Sequence, residues 1–233
     1  KGESTTSYMY YDSFISNIKA NYEYSPKFIF VLRNPVDRYV SHVNWLKGLG
    51  LEKKDVNQII NEDNWANFSE YDDYPKQYYQ FGLYNKWISR FIKNFGKKNI
   101  KIITFEQLIS DRLKTLNSCY EFLGVEKVDN LKFIRSNKSK KIVFPFIYHF
   151  LRKSSQGKTK CTKIVKYVLP KKIREKIKDL MKYTLQNWIA VESKNNKITF
   201  ENRKILSNVY LEDVKLLRET FKYDFSEWED FKL

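Results

Sequence analysis

Lys27-Phe28-Ile29-Phe30-Val31-Leu32-Arg33-Asn34-Pro35-Val36-Asp37-Arg38-Tyr39-Val40-Ser41 is the stretch on which the reading of this chain turns. After Ser25-Pro26 it opens with a continuous apolar run, as expected of a strand buried on both faces. The run stops at Arg33. Asn34 suits an N-cap and Pro35 the first position of a helix. Val36, Val40 and Val43 give that helix an apolar stripe, and Gly48 and Gly50 end it. Arg33 therefore sits where a parallel strand ends, the edge at which open α/β sheets bind ligands. The free N–H groups and the positive dipole end of the next helix point the same way. Ser41 lies seven residues after Asn34, about two helical turns, and so shares its face. An arginine fork and a serine hydroxyl can hold a phosphate between them. A surface arginine at a helix start and a helix-surface serine account equally well for these two residues alone.

The same strand-then-helix pattern returns downstream. Residues 76–95 read as a long amphipathic helix with Leu83, Trp87, Ile88 and Phe91 inward, and Gly96 as its stop. Asn99–Thr104 reads as a second buried strand. Phe105–Ile109 and Leu113–Leu123 follow as helices, the latter stopped by Gly124. This order indicates a parallel α/β sheet. Residues 51–73 read as a loop with a short helix. Phe144–Arg152 and Lys160–Leu169 carry short helical patterns, and Pro170 opens a Lys-rich helix. Phe200–Phe221 reads as a closing amphipathic helix, with Leu206, Val209, Val214 and Leu217 inward.

At 233 residues the chain can bury the core of one α/β domain. Its 42% hydrophobic and 17% aromatic content excludes a disordered chain, and 7 Gly with 5 Pro excludes collagen-like and linker-rich classes. No apolar run reaches the length of a membrane span, and no signal peptide opens the chain. Cys119, Cys161, His42 and His149 lie far apart, so neither a metal site nor a disulfide framework is expected. Thiols in this number suit a reducing compartment and a cytoplasmic location. The net charge of +16 is concentrated: residues 132–178 hold sixteen Lys/Arg against the single acid Glu175. Such a face calls for an anionic partner, whether phosphate, nucleic acid, acidic glycan or acidic membrane.

The motif Leu32-Arg33-Asn34-Pro35-Val36-Asp37-Arg38-Tyr39-Val40-Ser41 resembles the "LRNPxxRxxS" of the PAPS-dependent sulfotransferase family. Weaker matches follow in order. Gly2-Glu3-Ser4-Thr5-Thr6-Ser7-Tyr8 is similar to the family's upstream "GE" segment. Phe81-Gly82-Leu83-Tyr84 with Trp87 is similar to "GxYxxxLxxW", and Ile103–Leu108 to "xxxEDL". Glu121–Val125 is similar to "FLGV", and Asp224-Phe225-Ser226-Glu227-Trp228 to the closing "DLSxW". Together they span nearly the whole chain and point to the bacterial and glycan-type branch.

The resemblance implies a single domain over residues 1–233 with a P-loop-like parallel sheet flanked by helices and a mainly helical C-terminal part. It implies that Arg33 and Ser41 bind the 3′-phosphate of 3′-phosphoadenylyl sulfate (PAPS), or of its product adenosine 3′,5′-bisphosphate. Lys138, Lys140 and Lys141 fall in the basic Asn137–Lys141 loop that family members place over that phosphate. Glu3, Ser4 and Thr5 are expected toward the acceptor, a hydroxyl on a carbohydrate or glycolipid. Glu106, at a strand end, is expected to be structural, capping or pairing with a nearby base, and His42 and His149 to be non-catalytic. The family's 5′-phosphosulfate loop, "KxGTT", has no counterpart before Arg33. Lys1–Thr6 matches it only in composition and lies too close. The chain is thus expected to be N-terminally truncated relative to the family, with no catalytic base assigned and no metal required. From its charge and apolar pattern, the segment 132–178 reads either as a lid that packs its apolar side on the core and solvates its lysines, or as the acceptor side of the cleft, recruiting an acidic or lipid-linked glycan and touching a membrane peripherally. A nucleotide kinase would need GxxxxGK[ST], which is absent. A non-enzymatic basic or nucleic-acid module is the alternative; no recognised nucleic-acid motif supports it.

Overall fold

The computed structural model describes residues 2–62, 76–130, 140–142, 170, 173–176, 179, 190–192 and 197–232. The chain divides into two compact units: Lys1–Ser41, Ile60–Ile134 and Ile198–Leu233 form the first, and His42–Ile59 with Arg135–Lys197 the second.

The first unit is built on two parallel strands, β1 (Phe28–Leu32) and β2 (Ile100–Thr104), paired in register from Phe28↔Ile100 to Leu32↔Thr104. Helix α1 (Asp12–Asn21) precedes β1, and α2 (Pro35–Gly48) leaves it at once. Asn34 caps α2 as its sequence position demands: its Oδ1 accepts from Val36 N at 2.9 Å and Asp37 N at 3.4 Å. Helix α3 (Val56–Glu62) follows, its residues up to Ile59 assigned to the second unit and those from Ile60 to the first. α4 (Tyr84–Phe95) runs into β2, and α5 (Phe105–Ser110) and α6 (Arg112–Leu123) leave it. A Thr104–Gln107 capping box starts α5, Asp111 caps α6, and Gly124 ends α6 at φ 76°, the left-handed conformation that glycine adopts freely.

The core between α4 and β1 is rich in aromatic rings. Phe91 of α4 meets Phe28 and Phe30 of β1 edge-on, at 5.2 and 5.1 Å between ring centres. Expectation and structure part at several points. α4 begins at Tyr84, because the chain first makes a 3₁₀ turn over Gln80–Gly82. β1 is not buried on both faces: Val31 is 54% exposed. The closing helix α7 (Phe200–Phe221, as expected) turns Leu206, Val214 and Leu217 fully inward, but between them the buried residue is Tyr210 rather than Val209, which is only half-buried.

Tyr210 explains Gly82. A Cβ at Gly82 would stand 2.6–2.7 Å from the Tyr210 ring. That ring is fixed in turn, its hydroxyl lying 3.1 Å from the Tyr79 carbonyl it donates to. Gly82→Ala is therefore expected to destabilise the protein by about 1–3 kcal/mol, the usual cost of overpacking a rigid core. Urea unfolding at neutral pH measures it; an alanine variant as stable as wild type would show that Tyr210 yields.

In the second unit, Asp55 caps α3 by accepting from Asn57 N at 2.9 Å and Gln58 N at 3.0 Å. Two short strands, β3 (Lys140–Ile142) and β4 (Ala190–Glu192), pair antiparallel. The segment expected as a basic loop thus ends in a strand at Lys140 and Lys141. Backbone bonds from Ile173 and Arg174 to the Pro170 carbonyl begin the helical turn at 173–176. Lys138, His149 and the helical patterns Phe144–Arg152 and Lys160–Leu169 lie outside the described residues.

Candidate active site at the carboxyl edge of the parallel pair

Register decides what meets at the carboxyl edge. Leu32 pairs with Thr104, so the next residue on each strand, Arg33 and Phe105, leave the sheet side by side. The Arg33 guanidinium lies over the Phe105 ring, 5.3 Å from its centre. Among the described residues it has no hydrogen-bond or ion-pair partner, and Phe105 is 39% exposed. A guanidinium that pairs with no carboxylate among the described residues keeps its N–H donors available for an anion. Ser41, on the exposed side of α2, likewise has no hydrogen-bond partner for its hydroxyl among the described residues.

While the Arg33 side chain is free, its backbone is held. The Tyr84 hydroxyl donates to the Arg33 carbonyl at 2.8 Å, and burial pushes the Tyr84 phenol far above its ordinary range, so it remains a donor. The next N–H, that of Asn34, donates to Glu106 Oε1 at 3.0 Å. Asn34 Nδ2 donates to Asp230 Oδ2 at 2.8 Å. Asp230 also accepts from Arg203 Nε at 2.7 Å and Nη2 at 2.6 Å, and Arg203 Nη1 reaches Asp37 Oδ1 at 2.8 Å. This network ties the start of α2 to α7 and to the 3₁₀ turn Glu229–Phe231.

The expected site residues thus divide. Arg33 and Ser41 lie in the first unit, at the end of β1 and in the following helix. Glu3, Ser4 and Thr5 are exposed, and the Glu3 carboxylate accepts from the Tyr8 hydroxyl. Lys140 and Lys141 belong to the second unit. Glu106, expected to cap or to pair with a nearby base, accepts from the Asn34 N–H and has no basic partner among the described residues. His42 is half-buried on α2, 6.0 Å from the Trp45 ring.

Two groups of residues escaped the sequence reading. Phe105 carried a signal, because it follows the second strand as Arg33 follows the first. Arg203 and Asp230 carried none: their meeting with Asp37 and Asn34 depends on the path of α7 and the tail. Among the described residues no group of three or more metal-ligating side chains occurs, and no helix is long and apolar enough to cross a membrane.

The turn from β1 into α2 thus carries Arg33, with no hydrogen-bond or ion-pair partner among the described residues, and Ser41 lies on the helix that follows. The chain matches the model of the sulfotransferase domain over residues 13–218, and it belongs to that family, whose reaction is sulfuryl transfer. It is also similar to the crystal structure of a sulfotransferase from Alicyclobacillus acidocaldarius, with a TM-score of 0.62 at 18% identity, over 98% of this chain and 67% of that one. That likeness is one of fold: the α/β sulfotransferase fold, helix-rich with a small parallel sheet. No curated protein matches the chain.

Proposed function

We propose that the protein transfers a sulfuryl group from PAPS to a hydroxyl of a carbohydrate or glycolipid acceptor. The observation that carries this reading is the Arg33 guanidinium, without a hydrogen-bond or ion-pair partner among the described residues and stacked on the exposed Phe105 ring at the carboxyl edge of the sheet. The donor set fits the nucleotide. Arg33 supplies charge and paired N–H donors for a phosphate monoester, and Ser41 supplies a hydroxyl. Phe105 backs the Arg33 guanidinium with its ring. When bound, the nucleotide supplies the sulfuryl group, activated on its 5′-phosphate. The chain's own residues orient it: the Arg33 backbone is fixed by Tyr84 and Glu106, so its side chain meets the 3′-phosphate with little left to order. The excess of Lys and Arg in residues 132–178 supports an anionic acceptor on grounds of charge.

The test is transfer of labelled sulfate from PAPS to a panel of mono- and oligosaccharides. Product that forms, and that is suppressed by adenosine 3′,5′-bisphosphate at concentrations where adenosine 5′-phosphate does nothing, is the expected result. Equal suppression by both nucleotides would remove the role assigned to Arg33 and Ser41.

A further inference from the structure

Glu106 lies next to the free arginine and does not pair with it. Its two oxygens are taken by neutral donors: Oε1 by the Asn34 backbone N–H at 3.0 Å, and Oε2 by the Trp228 indole N–H at 3.1 Å. Trp228 is fully buried, stacked on Phe225 with ring centres 4.4 Å apart. Its indole can turn away only by breaking the core. The neighbouring Thr104 hydroxyl donates to Glu227, whose carboxylate also accepts from the Tyr223 hydroxyl. The closing segment Asp224–Trp228 thus fastens both the end of β2 and the first turn of α5.

We propose that Glu106 is a positioning residue for Arg33, and that the Trp228 indole holds it in that role. The first effect is geometric. With Glu106 on the Asn34 N–H and Tyr84 on the Arg33 carbonyl, the peptide group that joins Arg33 to Asn34 is held on both its C=O and its N–H. The second is electrostatic. An arginine paired with a protein carboxylate is a poorer anion receptor, and Glu106, which accepts from the backbone of the residue after Arg33, makes no ion pair with it. The indole N–H, by occupying Oε2, keeps Glu106 turned toward Asn34 and leaves the guanidinium on Phe105. The buried tail therefore keeps an arginine vacant for an incoming phosphate.

The proposal rests on the reading of Arg33 as the 3′-phosphate receptor, and the experiment separates the two. Affinities for adenosine 3′,5′-bisphosphate and adenosine 5′-phosphate are measured by calorimetry on wild type, Glu106→Gln and Trp228→Phe. A Gln amide keeps the size of Glu106 but can accept at only one of its two atoms. Phe keeps an aromatic ring in the core but lacks the N–H donor. Both variants are expected to bind the bisphosphate about tenfold more weakly, one broken hydrogen bond's worth of positioning, with the monophosphate unchanged. A merely structural role would lower both affinities together, and that result overturns the proposal. So does a Glu106→Gln protein that discriminates as wild type does; should that variant not fold, Trp228→Phe decides by the same ratio. A wild type that binds both nucleotides equally overturns the reading of Arg33, and the proposal with it.

Discussion

Arg33→Ala is expected to cut affinity for adenosine 3′,5′-bisphosphate by about 2–4 kcal/mol, the loss that follows when a desolvated phosphate is deprived of its charged partner. Adenosine 5′-phosphate, lacking the 3′ group, should bind the variant as it binds wild type. Ser41→Ala should cost about 1 kcal/mol, the value of one hydroxyl hydrogen bond. The difference between the two follows from chemistry: the guanidinium contributes charge and two parallel donors, the serine one neutral donor. Because Arg33 has no hydrogen-bond or ion-pair partner among the described residues, its removal strands no protein group. The thermal midpoint should therefore change little, which separates a lost contact from a damaged fold.

Asp230→Ala should do the reverse, injuring the fold directly. Asp230 holds three donors, the Asn34 amide and two nitrogens of Arg203, and its side chain is only 11% exposed. Truncation leaves the amide without its acceptor and Arg203 with Asp37 alone. A cost of about 2–4 kcal/mol is expected, below that of a fully buried pair because Arg203 is about one-third exposed. Asp230→Asn keeps an acceptor for one donor and should lose about half as much. Urea unfolding of the two variants checks both numbers; equal costs would show that the carboxylate charge, rather than the hydrogen bonds, holds the joint.

These two residues also mark what sequence could and could not reveal. Arg33 was legible because its neighbours are local: an apolar run sets the strand, Asn34 and Pro35 set the helix start, and the arginine falls between. The boundaries of α5, α6 and α7 were legible for the same reason, since Thr104, Asp111, Gly124 and Thr199 act within a turn of their own position. Asp230 was not, because it lies 196 residues from the amide it accepts from. The tail motif Asp224–Trp228 was visible as a resemblance; that Trp228 reaches Glu106 was not. Val31 was misjudged because an apolar run reports what a strand can bury, not what covers it. Val209 and Tyr210 were exchanged because adjacent positions on a helix differ by 100° and both are apolar enough to face a core.

The central claim is that Arg33 and Ser41 read a 3′-phosphate at the carboxyl edge of the β1–β2 pair. Calorimetric titration of the wild-type protein with adenosine 3′,5′-bisphosphate and with adenosine 5′-phosphate, at one ionic strength, tests it most directly. The account predicts that the bisphosphate binds at least about 30-fold more tightly, the lower bound set by a contact of about 2 kcal/mol. Equal affinity for the two nucleotides would contradict it.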